Sequence, residues 1–433
     1  MKRLSFLLLI LLLPLVHLVS FSVMDERIQE QPFDSEQELA KRDFSKTLAE
    51  NQRTWAEDAT ISLLTVGPGD PLYAWFGHSA LIVTQPLGNQ VMYDWGIFDP
   101  NQKHFYLNFA RGRMYYSVYE SEAGWRIRDV ISEDRDVQLL DLNLTPEAKF
   151  TMIQFMQNNA KAENSTYLYH FYDDNCATRI RDILNAATGG EFRTWAENEE
   201  AGGSFRSFIQ RNMIHSPVIF WALDFLQSGR IDAPLNRYEE MFLPESLHQA
   251  VLDFTYADGT PLAQRNTVLH DTSNTGVRFV AHTKNVNYDW AYALAGICLG
   301  LIGYLLANNH KRLWGLYYGM LSLILGVLGT LLLFMMTLSD MDMTYFNENI
   351  VFINPMLFAG AVSCFAMVFS KKRKGNLAVS LFRIFSVVIC ILIVAKGVFP
   401  SVLNQDNLRI LLLILPVFFS GAAFQGRGYR KQL

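Results

Sequence analysis

Cys176 stands apart from the other three cysteines of this 433-residue chain. Cys298, Cys364 and Cys390 lie in long apolar runs, where a free cysteine behaves as a small packing hydrophobe. Cys176 is the single cysteine of the charged stretch 24–287, so it has no partner there for a structural disulfide. By count alone it fits a buried inert thiol or an intermolecular disulfide as well as a reactive group. Its neighbours favour the reactive reading. Asp173-Asp174-Asn175 are capping residues, and Ala177 to Ala187 is amphipathic, which predicts a helix with Cys176 in its first turn. Unpaired N–H groups and the positive end of the helix dipole favour a thiolate there, and the thiolate is the nucleophile. The same N–H groups suit the oxyanion of a tetrahedral intermediate. Asp173 and Asp174 oppose the effect unless they cap the helix or turn away.

A cysteine nucleophile needs a base within hydrogen-bond reach. The charged stretch 24–287 holds seven histidines: His78, His104, His170, His215, His248, His270 and His282. His78 follows Gly77 and directly precedes an apolar run, which places it at a strand start with an open face. His170 is the second choice, six residues before Cys176 but alternating with aromatics in the manner of a packing residue. A third polar group usually fixes the imidazole tautomer. If Ser79–Thr84 and Val91–Trp95 form a hairpin across the turn Pro86-Leu87-Gly88-Asn89, the returning strand meets His78 near positions 93–97. Asp94 is the best carboxylate there and Tyr93 the alternative. Cysteine on a helix with histidine on a sheet is the papain-like arrangement. The chain order of histidine, polar residue and cysteine is the permuted one of lipid-handling relatives of the NlpC/P60 superfamily.

The elements that must hold these groups are partly legible. Thr60–Val66 reads as a strand closed by Gly67-Pro68-Gly69-Asp70, and Val137–Leu142 as another. Thr145-Pro146-Glu147 opens a helix running to about Ala162, with threonine as cap and proline at the first position. Tyr167–Tyr172 is aromatic and extended in character, and 191–287 is split by Pro217, Pro234 and Pro244 into short helices.

Composition divides the chain. Met1-Lys2-Arg3 followed by apolar Leu4 to Val23 has the pattern of a secretory signal or signal anchor. Residues 24–54 read as a charged linker, 55–287 as an extracytoplasmic domain and 288–433 as a membrane domain. Five apolar stretches, about 289–307, 313–337, 351–370, 377–398 and 407–424, approach the ~20 residues needed to cross a bilayer as a helix. The loops between them alternate in Lys and Arg content. His310-Lys311-Arg312, Lys371-Lys372-Arg373-Lys374 and the tail with Arg427, Arg430 and Lys431 are basic, whereas Ser339–Asn349 and Pro400–Asn407 carry neither Lys nor Arg. The basic loops therefore face the cytoplasm, which puts 24–287 outside an inner membrane. Arg383 and Lys396, near the ends of the fourth stretch, read as side chains snorkelling to the interface.

Net charge is only −5, with no basic stripe, which argues against a nucleic-acid partner. Neither HExxH nor CxxC occurs, so no metal and no cofactor is expected.

Four blocks carry a family resemblance: Trp75-Phe76-Gly77-His78-Ser79-Ala80-Leu81, Tyr93-Asp94-Trp95-Gly96-Ile97-Phe98-Asp99, Phe109-Ala110-Arg111-Gly112 and Asp174-Asn175-Cys176-Ala177-Thr178-Arg179. They resemble the Lnb family of lipoprotein N-acyltransferases of Bacteroidota, over roughly residues 55–425. The resemblance implies an α+β, permuted papain-like (NlpC/P60-like) extracytoplasmic domain followed by an all-α transmembrane domain of five helices. It implies acyl transfer from a phospholipid donor to the α-amino group of a diacylglyceryl-cysteine lipoprotein, and it carries over His78 and Cys176 as the catalytic pair. Asp94 rests on hairpin geometry alone. Two other classes fit the same residues. A membrane-anchored cysteine hydrolase (phospholipase, thioesterase or cell-wall amidase) differs in its acceptor. A receptor or assembly factor with an inactive papain-like domain would not need the Cys176 thiol.

Overall fold

The computed structural model describes residues 55–101, 103–213, 216–272, 288–369 and 376–424. The expected signal segment 1–23, the linker up to residue 54, His215, His282, the basic loop Lys371–Lys374 and the basic tail lie outside the described residues.

The first part of the chain is built on one seven-stranded antiparallel sheet, ordered β6-β4-β3-β2-β1-β5-β7. In chain order the elements are β1 (Thr60–Val66), β2 (His78–Thr84), β3 (Gln90–Ile97), α1 (Phe105–Ala110), β4 (Tyr115–Glu122), α2 (Ala123–Ser132), β5 (Val137–Leu142), α3 (Pro146–Asn159), β6 (Thr166–Leu168) and α4 (Cys176–Ala187). There follow α5 (Glu191–Glu197), α6 (Phe205–Met213), α7 (Pro217–Leu226), α8 (Arg237–Glu240), α9 (Pro244–Asp253) and β7 (Ala263–His270).

β1 is an interior strand, and its two faces feed two cores. Ile61 and Leu63 join Leu81, Val83, Tyr93 and Trp95 in the larger core, which α3, α4 and α9 cover. Leu64 and Val66 join Ala80, Ile82 and Met92 in a smaller one under α2. A strand buried on both faces reads as a nearly continuous apolar run, which is why β1 is plain in the sequence. The expected hairpin is β2–β3, with register Leu81↔Tyr93 and Ala80↔Asp94. Thr145 caps α3 by accepting from the Ala148 N–H, with Pro146 at the first position.

β4 and β7 have no clear counterpart in the sequence, and of the extended stretch Tyr167–Tyr172 the strand β6 takes only the start. β7 is an edge strand of sequence AQRNTVLH, mostly exposed, and polar decoration of this kind blunts an edge against further pairing. Its Arg265 reaches across to the buried Asp141 carboxylate, which also accepts from Ser62 Oγ at 2.7 Å.

The C-terminal part is helical: α10 (Asp289–Asn309), α11 (Lys311–Thr337), α12 (Leu357–Phe369), α13 (Asn376–Val398) and α14 (Leu408–Ala422). Three of these, over Asp289–Asn308, Lys311–Thr337 and Leu377–Val398, are long and apolar enough to cross a membrane, and α12 and α14 are shorter apolar helices. The stretch expected at 351–370 turns helical only from Leu357, because Asn347 and Asn354 cap local turns before it. Lys396 has protein partners beside its helix end. Its ammonium pairs with Glu348 and donates to the Gln405 carbonyl at 2.7 Å. Arg383 donates to the Ala422 carbonyl at 3.2 Å.

The two parts are joined through polar backbone contacts. Ser228 N–H donates to Met343 O at 2.7 Å, Asn347 Nδ2 to Phe225 O at 2.9 Å, Gln405 Nε2 to Gln227 O at 3.1 Å and Asp340 N–H to Arg111 O at 2.8 Å.

Candidate active site

β2 starts at His78 because the chain turns sharply just before it. Gly77 has φ +76°, and a Cβ there would lie 2.7 Å from the Val66 carbonyl oxygen, so glycine alone fits. The turn delivers the imidazole to the end of the sheet. Asp94 comes from β3, opposite Ala80, and so lies on the same face as His78, one diagonal step away. His78 Nε2 and Asp94 Oδ1 are 2.5 Å apart. Asp94 is 1% exposed, and the Arg126 guanidinium of α2 stands 3.9 Å from its other oxygen. Tyr93, the alternative partner, points to the opposite face and is packed in the larger core.

Cys176 is the first residue of α4. Asn175 caps the helix: its Oδ1 accepts from the Ala177 and Thr178 N–H groups at 2.8 and 2.9 Å, while its own N–H donates to Thr178 Oγ1. The cap therefore takes two donors expected to be free, and the Cys176 N–H is the first-turn donor it leaves. Asn175 Nδ2 donates to the Phe171 and Phe242 carbonyls, which anchors the cap from two sides. The flanking acids are neutralised. Asp174 forms a two-point pair with Arg179, and Asp173 pairs with Arg230.

The Cys176 side chain lies within electrostatic reach of the His78 imidazole. Burial alone would push its pKa down, but the Asp94 carboxylate and the Cys176 sulfur outweigh burial and raise it from 6.5 to about 10. With Nε2 on Asp94, Nδ1 is the ring nitrogen left to serve the sulfur. The chemistry available is that of a nucleophile, a proton carrier and an orienting carboxylate in one line.

Three further residues shape the site. Between Asp94 and Ile97 the β3–β4 register shifts, and Gly96 sits in that bulge with φ +89°. A Cβ there would lie 3.7 Å from Cys176 Cβ and 3.8 Å from the Tyr169 ring, so the glycine leaves open the space before the sulfur. The Tyr167 hydroxyl, 3.9 Å from the same point, is buried and makes no hydrogen bond among the described residues. Burial holds its phenol protonated far above the ordinary range, while the Arg179 guanidinium stacks on its ring at 3.6 Å. Gly96 and Tyr167 carried no recognisable signal of their own, since one needs the bulge and the other needs β6.

The remaining described histidines go elsewhere. His170 Nδ1 accepts from the Tyr172 and Asp173 N–H groups, and its Nε2 meets Asp342 at 3.0 Å, so it ties the sheet domain to the loop after α11. Burial lowers its pKa. His170, Asp173 and Asp342 converge, but Arg230 pairs with both carboxylates and supplies their counter-charge. His248 meets Thr65 on the larger-core face, and His270 meets Asp134 beside edge strand β7. His104 precedes α1 with φ 62°.

Fold and site together define a membrane protein whose α+β domain buries a Cys–His–Asp cluster. Residues 49–209 match the family model described as the Lnb N-terminal periplasmic domain. No curated protein and no solved structure matches the chain.

Proposed function

We propose that this protein transfers an acyl chain from a phospholipid to the α-amino group of diacylglyceryl-cysteine lipoproteins, through a thioester on Cys176. The observation that carries the reading is the placement of Cys176 within electrostatic reach of a His78 that Asp94 holds, in a domain bonded directly to apolar helices. In this reading the domain has a permuted papain-like fold and faces the periplasm. All five apolar C-terminal helices span the inner membrane, and the C-terminus is cytoplasmic.

The cycle uses the chain's own groups. Cys176 sulfur, as thiolate beside the His78 imidazolium, attacks the carbonyl carbon of a phospholipid ester. Negative charge gathers on the carbonyl oxygen, where the Cys176 N–H and the Tyr167 hydroxyl are the available donors. The bond to the glycerol oxygen breaks, that oxygen takes the His78 proton, and lysophospholipid leaves. The lipoprotein amine then attacks the thioester, His78 accepts a proton from its nitrogen, and the C–S bond breaks. Amide product and the thiolate–imidazolium pair result, so atoms and protons balance. Asp94 keeps the imidazole in one orientation throughout and stabilises its charge.

The test is a gain-of-function assay in cells depleted of their own lipoprotein N-acyltransferase. One lipoprotein N-terminus is read by mass spectrometry with the wild type and with Cys176→Ser. One added amide-linked acyl chain, absent with the serine variant, supports the reading. A well-expressed wild type that adds none overturns it for that host and moves ester hydrolysis to the front.

A further inference from the structure

α1 exposes two apolar side chains on different sides of the helix, Leu107 and Phe109, 51% and 41% exposed. The helix is fixed in depth. The residue after it, Arg111, accepts a hydrogen bond from Asp340 N–H, and Arg113 pairs with the Asp340 carboxylate at 2.9 Å. Asp340 comes three residues after Thr337, where the apolar helix α11 ends. Gly112 is packed so closely on the backbone of Asp340 and Met341 that a Cβ would lie within 3 Å of both. α1 therefore sits at the level where a membrane-crossing helix leaves the hydrocarbon, and apolar and aromatic side chains at that level favour the headgroup–acyl boundary.

From α1 a seam of aromatic rings runs inward. Phe105 stacks on Phe98 at 5.9 Å, Phe98 on Tyr116 at 5.0 Å, and Tyr116 packs on Tyr169 at 4.4 Å. The Tyr169 ring borders the space at Gly96 that Cys176 also borders.

We propose that α1 is a membrane-seating element: Leu107 and Phe109 enter the boundary of the bilayer leaflet at the end of α11, so that the seam opens onto lipid. The occupant is the bilayer surface itself. The claim concerns where this helix lies and holds whichever reaction Cys176 performs, so it stands or falls separately from acyl transfer.

The experiment uses the full chain in phosphatidylethanolamine–phosphatidylglycerol nanodiscs, with Phe109→Trp and, as control, Leu87→Trp. Leu87 is 94% exposed in the β2–β3 turn, at the opposite end of the hairpin from His78. Emission of the added indole is taken by difference from the parent. For Phe109→Trp the expectation is a blue-shifted spectrum, quenching by lipid carrying a doxyl group near the headgroup, and protection from iodide. An indole at 109 as open to iodide as the one at 87, and untouched by the doxyl lipid, overturns the proposal. Leu107→Trp gives a second reading on the same helix should the first variant fold poorly.

Discussion

Asp94 grips His78 from a diagonal position: β3 pairs Asp94 with Ala80, yet its carboxylate reaches His78 Nε2 at 2.5 Å. This contact does two things. It leaves Nδ1 as the ring nitrogen available to Cys176, and it opposes the burial that would otherwise keep the imidazole neutral.

Asp94→Asn should therefore cost activity and change its pH dependence together. The His78 pKa is raised above its ordinary 6.5 to about 10 in the folded protein. A raised histidine contributes stability that is fully present below 6.5 and is lost as pH rises through about 10. On the mechanism proposed, the imidazolium is also the acid that protonates the leaving glycerol oxygen, so the alkaline limb of the rate profile should follow the same group. With asparagine, burial dominates and that limb moves to lower pH, with a rate loss on the order of 10²-fold or more. A pH–rate profile of thioester formation reads both. An unmoved limb would remove Asp94 from the orienting role.

Tyr167→Phe separates catalysis from stability. A buried hydroxyl without a partner costs the folded state about 1–3 kcal/mol, so deleting it should raise the melting temperature or leave it unchanged. If the hydroxyl serves the oxyanion, the rate of Cys176 acylation should fall by about 10²-fold in the same variant. A more stable protein with full activity would make Tyr167 a packing residue only.

The site was legible to different depths, and the reasons are physical. Cys176 and His78 could be singled out because a capped helix start and a strand start are local signals. Asp94 followed from the hairpin register, with Tyr93 left open, since a one-residue slip in a strand exchanges its two faces. The structure puts Asp94 on the His78 face and Tyr93 in the core. Gly96 and Tyr167 depend on a bulge and on a three-residue strand, neither of which has a periodicity to read. The sheet's centre was visible in apolar runs, while edge strand β7 was hidden by its own polar residues. Lys396 pairs with Glu348, 48 positions away, a contact that no local pattern displays.

Arg206 is a buried cation at the junction with the membrane helices. It donates to Asp232 and Asp224 and to the carbonyls of Gln227 and Ser228. Asp232 in turn accepts from the Asp406 N–H, in the segment before α14. Arg206→Ala leaves two carboxylates without their counter-charge, and losing one partner of a buried pair costs about 3–5 kcal/mol. The variant should show a large drop in melting temperature in detergent and increased cleavage by added protease. Native stability would mean that Arg409, 3.6 Å from the other oxygen of Asp224, takes over as counter-ion.

Gly112 tests the link between α1 and the end of α11. Its φ of +72° is costly for any other residue, and a Cβ there would lie 2.8 Å from Met341 N and 2.9 Å from the Asp340 carbonyl carbon. Both are backbone atoms, so neither can swing aside as a side-chain end would. Gly112→Ala must push the 340–341 loop away, weakening the Arg111–Asp340 hydrogen bond and the Arg113–Asp340 pair. Backbone strain of this kind costs about 1–3 kcal/mol. Gly397→Ala is the matched control, because a Cβ there meets nothing within 4 Å and the residue is helical. The melting temperature should fall for position 112 and hold for 397. In nanodiscs, Gly112→Ala should also reduce lipid quenching of a tryptophan at 109, since α1 loses the bond that sets its depth. A drop in stability with quenching intact would show that α1 is seated by its own apolar side chains, independent of Asp340.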